Sequence, residues 1–107
     1  MIGCRFENGN AAALRHVVVD GLVVQNDRLL LVRRDRSLIE GGKLALPGGY
    51  VERDEAIFDA MRRELLEETG YEALRVTLFR VVSTCDRGAD DRQNIALVMA
   101  VDAGDRI

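Results

Sequence analysis

The chain is expected to fold in the α/β class (α+β), as a sheet under helical cover, and three observations point that way. His16 to Gln25 is a valine-rich, almost unbroken apolar run, and Arg28 to Arg34 encloses Leu29-Leu30-Leu31-Val32. Strands of this kind suit a sheet buried on both faces. Between residues 55 and 69, Ile57, Met61 and Leu65 recur at i, i+4 and i+8, the inward stripe of an amphipathic helix. Residues 73–84 and 93–102 read as two further strands.

Taken in order, residues 1–15 show no clear period and contain the turn-like cluster Glu7-Asn8-Gly9-Asn10, which predicts an N-terminal arm or a short lead-in strand. Asn26-Asp27 lies between two apolar runs as a tight hairpin turn would, although the usual glycine is missing. Asp35 to Lys43 reads as a polar loop. Leu44 to Leu46 forms a short strand that Pro47, Gly48 and Gly49 interrupt. Asp54 is the expected N-cap of the helix and Gly70 its C′ residue. Phe58 and Phe79 are expected in the core. A charged loop, residues 86–92, joins the two late strands. There is no repeat and no linker, so residues 1–107 are read as a single domain.

Composition narrows the function. With 48% apolar and 31% charged residues the chain is globular rather than disordered. Its longest apolar run, Ile95 to Val101, is too short to span a bilayer. Met1 to Phe6 lacks the basic and apolar regions of a signal peptide, and Cys4 and Cys85 have no metal-ligand spacing, so a cytoplasmic protein with two reduced thiols is expected. A net charge of −3 gives no electrostatic case for long nucleic acid or an anionic membrane. Of the 15 basic residues only Lys43 is a lysine. Arginine meets phosphate bidentately, but for most of these arginines composition bias is the simpler account.

The helix breaks a local rule. Glu64, Glu67 and Glu68 stand at i, i+3 and i+4, sharing one face and repelling. Each like-charge pair costs an isolated helix about 0.2–0.5 kcal/mol. Glu67 and Glu68 also crowd the C-terminal end, where the macrodipole opposes them by about 0.3–1 kcal/mol each. Local violations of this kind belong to functional sites. A hard divalent cation bound through oxygens would turn the repulsion into affinity.

The same residues carry a resemblance. Gly49, Glu55, Arg63, Glu64, Glu67, Glu68 and Gly70, with Leu65 and Tyr71 at apolar places, fill the pattern G-x5-E-x7-R-E-(apolar)-x-E-E-x-G-(apolar) over residues 49–71. This segment resembles the Nudix box, with Tyr71 bulkier than the usual aliphatic residue. Seven fixed letters arise by chance on the order of once in 10^8 starting positions. Leu44-Ala45-Leu46-Pro47-Gly48 resembles the family's approach to the box, and the likeness covers roughly residues 16–102.

The resemblance implies a mixed sheet sandwiched by helices, and hydrolysis of a nucleoside diphosphate linked to another group. It further implies Mg²⁺ or Mn²⁺ held by Glu64, Glu67, Glu68 and the Gly48 carbonyl, with Arg63 orienting the glutamates. Hard oxygens select such ions. By the same resemblance Gly49, Gly70 and Glu55 support the site; Glu55, about two and a half turns before Glu64, is expected on the opposite side of the helix. Glu64 or Glu67 would serve as the general base, with Asp86, Asp90 and Asp91 as outside candidates.

Substrate contacts are written weakly: Arg34, Arg36 and Tyr50 are candidates, although solvated strand ends and an exposed tyrosine are the commoner case. The substrate is a nucleotide-derived small molecule, either ADP-ribose-like, as Asp91-Arg92 faintly suggests, or a nucleoside triphosphate. A non-catalytic nucleotide-sensing module and an inactive truncated domain are the alternatives; the complete acidic set argues against the sensor. The family's usual C-terminal strand and helix have no counterpart before Ile107, and a homodimer is the expected remedy for the uncovered sheet.

Overall fold

The computed structural model describes residues 1–35, 37, 41–83 and 93–106. Strands β1 (Ile2–Arg5) and β2 (Ala11–Leu14) form a separate antiparallel hairpin. The N-terminal arm is therefore ordered, closed by Gly9 at φ 89° and a hydrogen bond from Gly9 N–H to the Phe6 carbonyl of 2.9 Å.

The valine run becomes β3 (Val17–Gln25), the strut of the molecule. It turns through Asn26 and Asp27, both at positive φ (52° and 61°), into β4 (Arg28–Leu29). Two successive left-handed residues match the twist of a two-residue hairpin, which is why Asn and Asp manage here without glycine. The run expected as one strand from Arg28 to Arg34 is instead split. Leu30 and Leu31 interrupt it, and β5 (Val32–Arg33) pairs with β6 (Leu44–Ala45) in a small sheet of its own.

After Pro47, β7 (Gly48–Tyr50) returns to pair antiparallel with β3 at Val18, Val19 and Asp20. Then come the single described helix α1 (Ile57–Thr69), β8 (Tyr71–Val82) and β9 (Ile95–Arg106). The main sheet runs β4-β3-β9-β8. β9 lies parallel to β3 from Val17↔Ile95 to Val23↔Val101 and antiparallel to β8, so the sheet is mixed.

Alternation along β3 divides its side chains. Val19 and Val23 face α1, where Met61 and Leu65 are fully buried with Ala60 and Met99. Gly21 lies on that side too; a Cβ there would come within 2.8 Å of Met61 Cε, so the glycine makes room for the methionine. Met61→Ala is expected to cost about 2–5 kcal/mol, read as a lower urea midpoint with an unchanged slope.

Helix α1 starts and stops by different means than the sequence suggests at one end only. Asp54 does not cap it. Asp54 sits at φ 66° in the preceding turn, and Ala56 is the cap residue, with no side-chain hydrogen bond. Gly70 at φ 78° ends the helix as expected, its N–H reaching the Leu66 carbonyl at 2.9 Å. The buried Thr69 hydroxyl adds a bond to the Leu65 carbonyl at 2.6 Å.

Among the described residues one helix, α1, covers one face of the mixed sheet. Phe58 (38% exposed) and Phe79 (65%) lie outside the core, contrary to expectation. Phe58 is on the outer side of α1, and Phe79 is on β8, an edge strand whose register slips at three places. No described helix is long and apolar enough to cross a membrane.

Candidate active site

The box residues meet where α1 crosses β7. Arg63, half-buried on the second turn of α1, reaches back towards the chain that precedes the helix. Its Nε and Nη2 donate to Glu55 Oε2 (2.6 Å) and Oε1 (3.0 Å), a two-pronged pair. Nη2 also donates to the Tyr50 carbonyl (3.1 Å). Nη1 turns the other way, to Glu64 Oε1 (2.9 Å) and Glu67 Oε2 (3.3 Å). One guanidinium thus joins the entry loop, β7 and the acidic face.

Glu55 is consequently not on the far side of the helix. It precedes α1, and the extended Ala56 backbone (φ −71°, ψ 149°) leaves its carboxylate folded against Arg63. The Arg63 hydrogen bond, followed by the Glu52 N–H, holds the Glu55 carboxyl below its ordinary range. The same contact pushes the Arg63 guanidinium further up.

Glu64 and Glu68 converge on the double glycine. Glu64 packs against Gly49 so closely that a Cβ there would stand 2.5 Å from Glu64 Oε1. Glu68 hydrogen-bonds to Glu64 and receives the Gly48 N–H. Burial, then the hydrogen bond to Glu64 and that group's charge, push the Glu68 carboxyl up to about 7. These causes favour the protonated form of Glu68. Glu67 stands apart at 59% exposure, tied to Arg63. Among the described residues no three acidic, histidine or cysteine side chains already surround a cation position.

The donor chemistry fits a hard divalent ion nevertheless. A cation between these oxygens would take the place of the Glu68 proton, with the Gly48 backbone alongside. Without metal, the folded chain binds that proton more tightly than the unfolded chain, between the ordinary carboxyl value of 4.5 and about 7. Stability of the metal-free protein should fall as pH rises through this window. Because Glu68 is exposed as a residue, screening reduces the effect to about 1 kcal/mol. Thermal melts in chelator at about pH 5 and about pH 8 should show the slope, and Glu68→Gln should flatten it.

A groove of about 390 Å³ opens beside Glu68, lined by Arg33, Arg34, Ala45, Leu46 and Gly48. It continues past Arg34, Ala45, Leu46 and Gly48 into a second hollow of about 360 Å³ that reaches Asp20, Tyr50 and Asn94. Tyr50 lies against His16, with ring centroids 4.6 Å apart and ring planes tilted by 31°. Burial alone raises the Asp20 carboxyl above its ordinary value. A larger cavity of about 790 Å³, around Gln25–Leu31, Leu44 and Tyr71, contains no box carboxylate.

Arg34 and Tyr50 therefore line the groove. Arg36, Asp86, Asp90, Asp91 and Arg92 fall outside the described residues. Sequence reasoning missed Asp20 and Asn94. Asp20 had a visible signal, a single carboxylate inside Val17–Val24; Asn94 had none.

A model of the NUDIX domain matches residues 14–105. The ADP-ribose pyrophosphatase of Methanocaldococcus jannaschii is 35% identical over 85 residues, which are 79% of this chain and 48% of that protein. The chain thus spans about half the length of this curated relative. A MutT NUDIX hydrolase from Burkholderia pseudomallei superposes with a TM-score of 0.77 at 32% identity, over 88% of this chain and 72% of that one. A bifunctional NMN adenylyltransferase/ADP ribose pyrophosphatase from Francisella tularensis, solved with AMP and a manganese ion, superposes at 0.68 with 28% identity, over 88% of this chain and 32% of that one. The match takes in β3, β7, α1 and both late strands as well as the box, and the chain belongs to the NUDIX domain family.

Proposed function

We propose that this chain hydrolyses a diphosphate bond in a nucleoside diphosphate derivative, with Mg²⁺ or Mn²⁺ bound at the acidic face of α1. The observation that carries the reading is the meeting of the Glu64 and Glu68 carboxylates against Gly48 and Gly49, at one end of a groove that Arg34 lines. When bound, the cation neutralises diphosphate charge and orients the bond to be broken.

The remaining work belongs to the chain. Glu64, Glu67 and Glu68 would hold the ion together with the Gly48 carbonyl, which needs Glu67 to leave its contact with Arg63. Arg63, anchored on Glu55 and the Tyr50 carbonyl, fixes Glu64 at the geometry the ion needs. Glu64 or Glu67 takes the proton of the attacking water. Arg34 supplies positive charge to a phosphate lying along the groove. The names of the relatives favour an ADP-ribose-like substrate over a nucleoside triphosphate.

The test is a product-resolved hydrolysis screen with Mg²⁺ over ADP-ribose, dinucleotides, nucleotide sugars and nucleoside triphosphates. Turnover should disappear with chelator. It should fall by about 100-fold or more in Glu67→Gln, with the fold kept or slightly stabilised without metal because one repulsive charge is gone. Parental activity in that variant rejects the site, and absence of turnover on every substrate rejects hydrolysis.

A further inference from the structure

The hollow beyond Arg34 holds a carboxylate that the hydrolytic reading leaves unused. Val19 and Val23 point at α1, so the two-residue alternation of β3 turns Asp20 to the opposite face of the sheet. Val18 shares that face, and so does Tyr50, its partner across the β3–β7 ladder. Val18, Asp20 and Tyr50 all line the hollow of about 360 Å³, so its floor lies on this face.

The Asp20 carboxylate stands there without a partner. Among the described residues no hydrogen bond or ion pair reaches it, and burial is the single cause that shifts it. Its oxygens are not sealed off. Asn94 Oδ1 is the unpartnered side-chain atom closed to solvent, whereas Asp20 is half-buried and its oxygens keep access. A carboxylate desolvated without a donor is a cost to the fold, and local costs of this kind belong to functional sites.

Strand register sets which part of a nucleotide derivative arrives there. Gly48 borders both the groove at Glu68 and this hollow, and Asp20 is its direct partner across the ladder. Directly paired residues have Cα atoms about 4.5–5.5 Å apart, so Asp20 is one strand spacing from the phosphate end. Tyr50 lies two residues further along β7, about 7 Å away. The first uncharged unit joined to a diphosphate is a sugar. An ionised carboxylate accepts at both oxygens and donates nothing, which matches two neighbouring hydroxyls. Dinucleotide-binding folds use the same pairing, an acidic side chain on a ribose hydroxyl.

We propose that Asp20 accepts hydrogen bonds from the vicinal hydroxyls of a ribose attached to the diphosphate, and so selects ribose over 2-deoxyribose derivatives. The assignment rests on the reading that a nucleotide derivative occupies the groove. Two sugars have this chemistry: the nucleoside's own ribose, and a ribose on the far side of the diphosphate.

Monophosphates have no diphosphate bond to cleave, so binding can be measured apart from turnover. Calorimetric titration of the Mg²⁺-containing protein compares AMP with 2′-deoxy-AMP, and ribose 5-phosphate with 2-deoxyribose 5-phosphate. The ribose member of at least one pair should bind about tenfold or more tighter. A preference in the AMP pair assigns the nucleoside's ribose; a preference confined to the base-free pair assigns the other sugar. Asp20→Leu should bring the ratio to within about twofold, and Asp20→Ala serves if the leucine variant does not fold. Asp20→Asn, which keeps one acceptor without the charge, should retain a reduced preference. Equal affinities in both pairs for the parent, a preference that survives both apolar variants, or no binding of any of the four ligands overturns the proposal. A ribose preference that is lost with Asp20 in a protein that hydrolyses nothing rejects only the enzymatic reading. Hydrolysis without a ribose preference rejects only the role of Asp20.

Discussion

Gly48→Ala should fail to fold, or lose about 3 kcal/mol or more, seen as a melting temperature lower by about 10 °C or more. The added Cβ would run into the Val19 carbonyl oxygen, and would lie 2.9 Å from the Val19 carbonyl carbon and 3.0 Å from Asp20 Cα. All three are backbone atoms of the central strand, and none can turn aside. Gly49→Ala, one residue on, is the informative contrast. Its Cβ would meet only the end of the Glu64 side chain, at 2.5–2.9 Å, which can rotate away. That variant should melt close to the parent yet bind metal more weakly, because the carboxylate has left its place. Equal melting temperatures for the two alanine variants would contradict the close packing of β7 on β3.

Arg63→Lys should leave the fold intact and lower kcat/KM by about 10- to 100-fold, the usual loss when the support of a metal ligand is removed. Charge is retained, so an electrostatic role alone would predict little change. What lysine lacks is the fork: Nε and Nη2 on Glu55, with Nη1 left over for Glu64 and Glu67. A single ammonium can hold Glu55 or Glu64, and the acidic face then loses its fixed position. The expected signature is a lower metal affinity together with a lower kcat, measured by titration and initial rates. A variant with parental kinetics would show that the guanidinium is only a surface charge.

Much of this is legible in the sequence alone. The stripe Ile57, Met61, Leu65 and the stop at Gly70 follow from helical period and left-handed preference, which are local properties. The turn at Asn26-Asp27 is local as well. What escaped was non-local. Nothing in Val17–Gln25 says that β9 will lie parallel to it on one edge and β7 antiparallel on the other. Asp54 resembled a cap because composition, not φ, was visible. Phe58 and Phe79 looked like core residues by hydrophobicity alone, and their exposure depends on which faces find cover. In the site, the crowding of Glu64, Glu67 and Glu68 was plain from spacing. That Glu55 would fold back onto Arg63, and that Glu67 would stand apart from the other two, depends on the turn before the helix.

The double pairing of β3 has a consequence for size selection. Seven residues of β3 are in register with β9, and three of those same seven are also in register with β7. Gly48, at the acidic face, pairs with Asp20 on one edge of this strand, and Asn94 adjoins Ile95, which pairs with Val17 on the other edge. The interval between them cannot stretch or shorten without breaking sheet hydrogen bonds. In the proposed reaction a molecule lying across both ends would be gauged against that interval, so the bond brought to the acidic face would depend on how many atoms separate it from the other end. Inserting or removing one phosphate would shift a different bond into place, and the strand would act as a ruler for chain length.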